Sequence, residues 1–125
     1  MSYKYRELIA WQKAKKLAVE VCILVRRFPK DELYGLTSQI RRSVISVPSN
    51  IAEGQGRLTR GEFLQFLGHA RGSLFEVQTQ LEIALDLGYI EKEDFDQLEV
   101  LSNDVRALLN RLIESLQPKT KSANA

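Results

Sequence analysis

Apolar residues return at alternating steps of four and three through four separate stretches of this chain, and a face with that period can be buried only as a helix. The first stretch carries Ala10, Ala14, Leu17, Val21, Leu24 and Phe28. Phe28-Pro29 closes it, because the residue before proline is pushed out of the α region. The second, over residues 32–57, carries Leu33, Leu36, Ile40, Val44, Val47 and Ile51, with Gly54 and Gly56 as its stop. Thr59-Arg60-Gly61-Glu62 has capping-box spacing and opens the third. Its seam is Phe63, Leu67, Ala70, Leu74, Val77, Leu81 and Ala84, and Gly88 ends it. The fourth starts near Glu91, in acidic sequence that suits a helix N-terminus. It runs through Phe95, Leu98, Leu101, Val105, Leu108, Leu112 and Leu116 to Pro118. Helices of roughly 20–27 residues would each span about 30–40 Å. Short connections make neighbours antiparallel. The predicted fold is all-α, an antiparallel up-down four-helix bundle over residues 1–117 with a disordered polar tail over 118–125.

A chain of 125 residues can bury such a core without staples. Cys22 is its one cysteine, so no internal disulfide forms, in keeping with a cytoplasmic location. The N-terminus lacks the apolar stretch of a signal peptide, and the longest apolar run, residues 21–25, is far too short for a membrane span. Net charge is +2 but uneven. Residues 1–72 hold 13 Lys/Arg against 6 Asp/Glu, and residues 73–125 hold 5 against 10. The basic half suits an acidic partner such as nucleic acid, or equally the acidic half of the same or another subunit. The first helix has apolar residues off its seam: Val19, Cys22, Ile23 and Val25, with Trp11 near its start. Either a second subunit covers them or the core-facing stripe is wide.

Residues 38–57 stand apart. Pro48 sits inside a helical pattern, where it frees the Val44 carbonyl and is expected to kink the helix. Arg42, Ser46, Ser49, Asn50 and Glu53 recur at steps of three or four as a polar face. Ser43, Ser46, Ser49 and Asn50 can bond backbone groups near the proline. Arg42 and Glu53 are expected in structural hydrogen bonds around Asn50 and Pro48.

The run Gln39-Ile40-Arg41-Arg42, then Ser46-Val47-Pro48-Ser49-Asn50-Ile51-Ala52-Glu53-Gly54, then Gly56-Arg57, closely resembles the signature of one bacterial family. That family comprises proteins encoded within 23S rRNA intervening sequences, often labelled S23 ribosomal protein. Further matches follow in order: Trp11-Gln12-Lys13-Ala14, Phe28-Pro29, Tyr34-Gly35-Leu36, Phe63-Leu64-Gln65-Phe66-Leu67, Ala70-Arg71-Gly72-Ser73-Leu74 and Leu87-Gly88-Tyr89. The resemblance covers about residues 6–117. It implies a four-helix bundle, a homopentamer, and no enzymatic activity. It also implies likeness to the accessory variability proteins of diversity-generating retroelements, which bind RNA and a reverse transcriptase. Cys22 departs from the aromatic residue such relatives would carry there, which bears on packing.

The residues themselves offer little catalytic chemistry. His69 is the sole histidine, and Glu62 and Glu76 each lie seven positions from it, which does not fit the Glu-x-x-His pairs of bundle metal sites. Cys22 reads as a core thiol. Glu53-Gly54-Gln55-Gly56 follows no strand and is not a phosphate loop. Gly68 and Gly72 permit a close helix approach. No catalytic residue, metal ligand or cofactor is expected. Basic residues do converge: Arg26, Arg27, Lys30, Arg41 and Arg42 should share the end where helix 1 hands over to helix 2. Arg57, Arg60 and Arg71 come from helices 2 and 3, and Lys13, Lys15 and Lys16 from helix 1. A ring of such patches on an oligomer would hold phosphates without reading sequence. The sequence therefore supports a homo-oligomeric scaffold binding RNA or DNA, or alternatively a structural oligomer that binds protein. An enzyme is the least supported reading.

Overall fold

Each apolar stretch becomes a helix, with boundaries set by the local stop signals. The computed structural model describes residues 4–118, so the tail expected over 118–125 lies outside the described residues beyond Pro118. The helices are α1 (Ile9–Leu24), α2 (Leu36–Gln55), α3 (Arg60–Asp86) and α4 (Lys92–Leu116). No strand occurs among the described residues, and no helix there is long and apolar enough to cross a membrane.

α1 is shorter than the seam implied. It tightens into a 3-10 turn over Val25–Arg27 before Phe28-Pro29, and a second 3-10 turn spans Lys30–Glu32. α2 therefore begins at Leu36, and Leu33, expected in its stripe, lies in the turn and is 46% exposed. Thr59 caps α3 as expected. Its hydroxyl accepts from the Glu62 amide at 3.1 Å and donates to the Glu62 carboxylate at 3.1 Å. At the other end Gly88 takes φ +76°, which L side chains rarely adopt. There the Tyr89 amide donates to the Ala84 carbonyl and the Gly88 amide to that of Leu85, a Schellman ending. The first turn of α4 carries Glu93 and Asp94, matching its dipole.

The core follows the seams closely. Leu17, Val21, Ile40, Val44, Val47, Ile51, Leu67, Leu74, Val77 and Leu81 are all essentially inaccessible. The last third of α4 corrects the expectation: Leu109 and Ile113 are buried, whereas Leu108, Leu112 and Leu116 are only partly so. A straight helix drifts against a strict seven-residue repeat, so steps of four from Val105 keep the core face. The paired apolar residues 108–109 and 112–113 hid that choice in the sequence.

Two contact pairs set the direction of α3 against α2. Ser46 meets Ser73, and eight positions later Gly54 meets Phe63 and Phe66. Arg71 reaching Asn110 and Gln78 reaching Asn103 do the same for α3 and α4. Later positions on one helix meet earlier ones on the next, so each of these pairs runs in opposite directions.

Gly54 does not stop α2. It is buried one residue before the helix ends, and a β-carbon there would lie 2.7 Å from Phe66 Cβ and 3.0 Å from Phe63 Cδ1. Its missing side chain is what admits the two aromatics. Pro48 likewise does not interrupt α2, which continues through Gln55.

Candidate nucleic-acid interface and a polar cleft

The α1–α2 turn folds as two short 3-10 pieces because Pro29 fixes an extended backbone between them (φ −55°, ψ 144°). The turn carries the Arg26 and Lys30 side chains to the first turns of α2, where Arg41 projects. These three line one shallow groove of about 330 Å³ with Val25, Phe28, Pro29, Leu33 and Thr37. Arg26 and Lys30 are exposed and Arg41 is half-buried. None of the three forms an ion pair among the described residues.

Two acids follow Lys30 directly, exposed Asp31 and then Glu32, and the second is occupied. Glu32 Oε1 accepts from the Leu36 amide at 3.2 Å, and the Tyr89 hydroxyl donates to Oε2 at 2.6 Å. The tyrosine bond, then the Leu36 bond, hold the Glu32 carboxyl below its ordinary range. The same contact, with burial and the charges of Glu32 and Asp31, holds the Tyr89 phenol above its own.

The remaining expected contacts disperse. Arg27 turns to α4 and meets Asp94 at 3.5 Å, an exposed pair that adds little stability. Arg57 lies over the Phe66 ring at 4.6 Å, at the opposite end of α2. Arg71 is half-buried and donates to Asn110 Oδ1 at 3.0 Å. Lys16 reaches Glu20 at 3.9 Å, and Lys15 lies over Trp11 at 5.4 Å. His69 is exposed, edge-on to Phe66. Along α1, Val19 and Ile23 are half exposed, Val19 on the same surface as Trp11, while Val25 is buried in the core and Cys22 packs against it.

Arg42 departs furthest from expectation. It makes no hydrogen bond near Asn50 or Pro48, and neither does Glu53, which is exposed. Instead the Asn50 side-chain amide donates to both the carbonyl and the hydroxyl of Ser46, each at 2.8 Å. Ser46 Oγ and Ser73 Oγ are in turn hydrogen-bonded to each other across the α2–α3 seam at 2.9 Å. The bonded carbonyl is that of Ser46, not the Val44 carbonyl released by Pro48. Arg42 lies farther up α2, on the rim of a cleft of about 400 Å³ lined by Gln39, Arg42, Ser43, Ser46, Ser73, Glu76 and Gln80. Ser43, Ser73 and Gln80 are each more than nine-tenths buried or at that limit, and Gln80 Oε1 has no hydrogen-bond partner. Sequence reasoning missed the α3 wall. Its signal was the pair Ser73 and Gln80, seven residues apart and each directly preceding a core leucine.

The family model described as 23S rRNA-intervening sequence protein matches residues 6–111. No curated protein matches. Among solved structures, a protein of unknown function from the S23 ribosomal protein family, from Bacteroides thetaiotaomicron, is similar over 85% of this chain and 96% of that one. The TM-score is 0.79 at 24% identity, a likeness of fold.

Proposed function

The chain belongs to the 23S rRNA-intervening sequence protein family, and from that premise we propose that it is a non-catalytic, cytoplasmic homo-oligomer, a pentamer, that binds RNA or DNA by its phosphates. The observation that carries this reading is the groove at the α1–α2 turn. There Arg26, Lys30 and Arg41 stand together, free of ion pairs, with the neighbouring Glu32 carboxylate engaged elsewhere. Guanidinium and ammonium groups on such a surface contact phosphate oxygens and neutralise backbone charge, which is blind to base identity. Assembly is supported by α1: Val19 and Ile23, 50% and 52% exposed, are apolar side chains that a second copy would cover, and Trp11 shares the surface of Val19.

Anisotropy titrations against mixed RNA and DNA test the reading. Affinity should depend weakly on sequence and fall steeply with salt, with a log–log slope of roughly −0.9 per phosphate neutralised on duplex DNA and about −0.7 on single strands. Replacing Arg26, Lys30 and Arg41 together by Glu should abolish binding while helicity and oligomer size stay unchanged. Absence of binding at low salt would reject the proposal. Light scattering that shows a 14.3 kDa monomer would reject the assembly.

A further inference from the structure

We propose that the cleft between α2 and α3 binds a small zwitterion of the α-amino acid class, its carboxylate held at Arg42 and its ammonium at Glu76. This site is separate from the basic groove and does not depend on nucleic-acid binding.

The floor of the cleft is built where a helix seam would ordinarily carry aliphatic side chains. Ser43, Ser73 and Gln80 are 8%, 9% and 9% exposed. Burying hydroxyls and amides costs free energy unless they are bonded. Yet Gln80 Oε1 is buried without a partner. Of the three, only Ser73 is bonded across the α2–α3 seam, to Ser46. Part of the wall is already positioned: Asn50 fixes Ser46, and Ser46 fixes Ser73, so it is ordered before any ligand arrives. The space, about 400 Å³, falls in the range of small-molecule sites.

The charges select the ligand class. One guanidinium and one carboxylate line the same cleft without pairing, and neither has another partner among the described residues. A simple anion would satisfy Arg42 but meet Glu76, and a simple cation would meet the reverse. A ligand bearing both charges satisfies both. Arg42 offers the planar fork that matches a carboxylate. Glu76 and the serine hydroxyls accept from an ammonium with three donors. No aromatic side chain lines the cleft, so a nucleobase or sugar ring would find no face to stack on.

Isothermal titration of the full-length protein with a panel of free α-amino acids tests this, with the N-acetyl and methyl-ester forms of each as probes lacking one charge. At least one free amino acid should bind saturably with one site per chain. Both blocked forms should bind about tenfold more weakly or worse, about 1.4 kcal/mol. Arg42→Gln and Glu76→Gln, both at exposed positions, should each weaken binding by a similar factor while thermal unfolding stays near that of the parent. The Arg26, Lys30 and Arg41 triple variant should bind the amino acid normally even when nucleic-acid binding is lost. No saturable heat from any free amino acid would overturn the proposal. So would equal binding of a blocked form, or binding unaffected by both Gln substitutions.

Discussion

The α2–α3 seam is shut at one end and open at the other. Near the end of α2, Gly54 lets Phe63 and Phe66 pack so near that a single added carbon would lie 2.7 Å from Phe66 Cβ. About three turns earlier on the same helix, Arg42, Ser43 and Ser46 face Ser73, Glu76 and Gln80 across about 400 Å³ of space. The two ends belong to one helix pair, so helix length and direction do not account for the contrast. Residue choice at the facing positions does. A glycine against two aromatics produces close packing, whereas serine and glutamine against each other leave polar atoms to be satisfied one by one, and Gln80 is not.

The sharpest way to break the contrast is to fill the shut end. Gly54→Ala places its methyl against the root of the Phe66 side chain, which cannot swing aside as a side-chain tip could. Overpacking of this kind costs typically 1–3 kcal/mol, partly offset by about 1 kcal/mol of helix propensity. A net loss of about 1–2 kcal/mol in urea unfolding is expected, and an unchanged or raised midpoint would refute the close-packing account. Asn50→Ala probes the boundary between the two ends. It removes the two bonds to Ser46 and should cost about 1 kcal/mol, and the loss should be smaller in a Ser46→Ala background, where only the bond to the Ser46 carbonyl is left to lose. Gly68 and Gly72, on the same α3, provide a control of opposite sign. A β-carbon at either meets nothing within 4 Å, so alanine there should stabilise the fold by about 0.5–1 kcal/mol. A loss instead would mean that another copy covers that face. The smallest effect concerns the α2 start. Tyr89→Phe removes the largest cause of the low Glu32 pKa, so the Glu32 titration followed by NMR should move upward. Because that carboxyl is depressed in the folded state, its contribution is present above its unfolded pKa and lost as pH falls. The variant should therefore begin acid unfolding at a higher pH than the parent.

Much of the architecture was legible because the seams of α1 and α3 and the first half of α4 repeat unbroken, even where other apolar residues flank them. The capping box at Thr59 and the stop at Gly88 were legible as well: each uses a residue type with one local purpose. Where two apolar residues are adjacent, as at 108–109 and 112–113, periodicity alone could not choose the buried member. The site was less visible. Arg26, Lys30 and Arg41 meet because the α1–α2 turn is built of two 3-10 pieces, a geometry that spacing does not encode. Arg27, only one residue from Arg26, points around the helix to Asp94 instead. The cleft needed knowledge of which α3 residues face α2, and Gly54 was misread because a glycine near a helix end signals both a stop and a close approach.

Glu32 is bonded at once to the first turn of α2 and, across 57 positions, to Tyr89 in the turn before α4. A carboxylate placed this way makes the two halves of the chain report on each other. Glu32 takes up its second bond only when the α3–α4 turn has docked. Unfolding should thus be all-or-none across the tie. The Leu36 amide should then exchange with solvent deuterium at the rate of the whole domain, not at that of a fraying helix end.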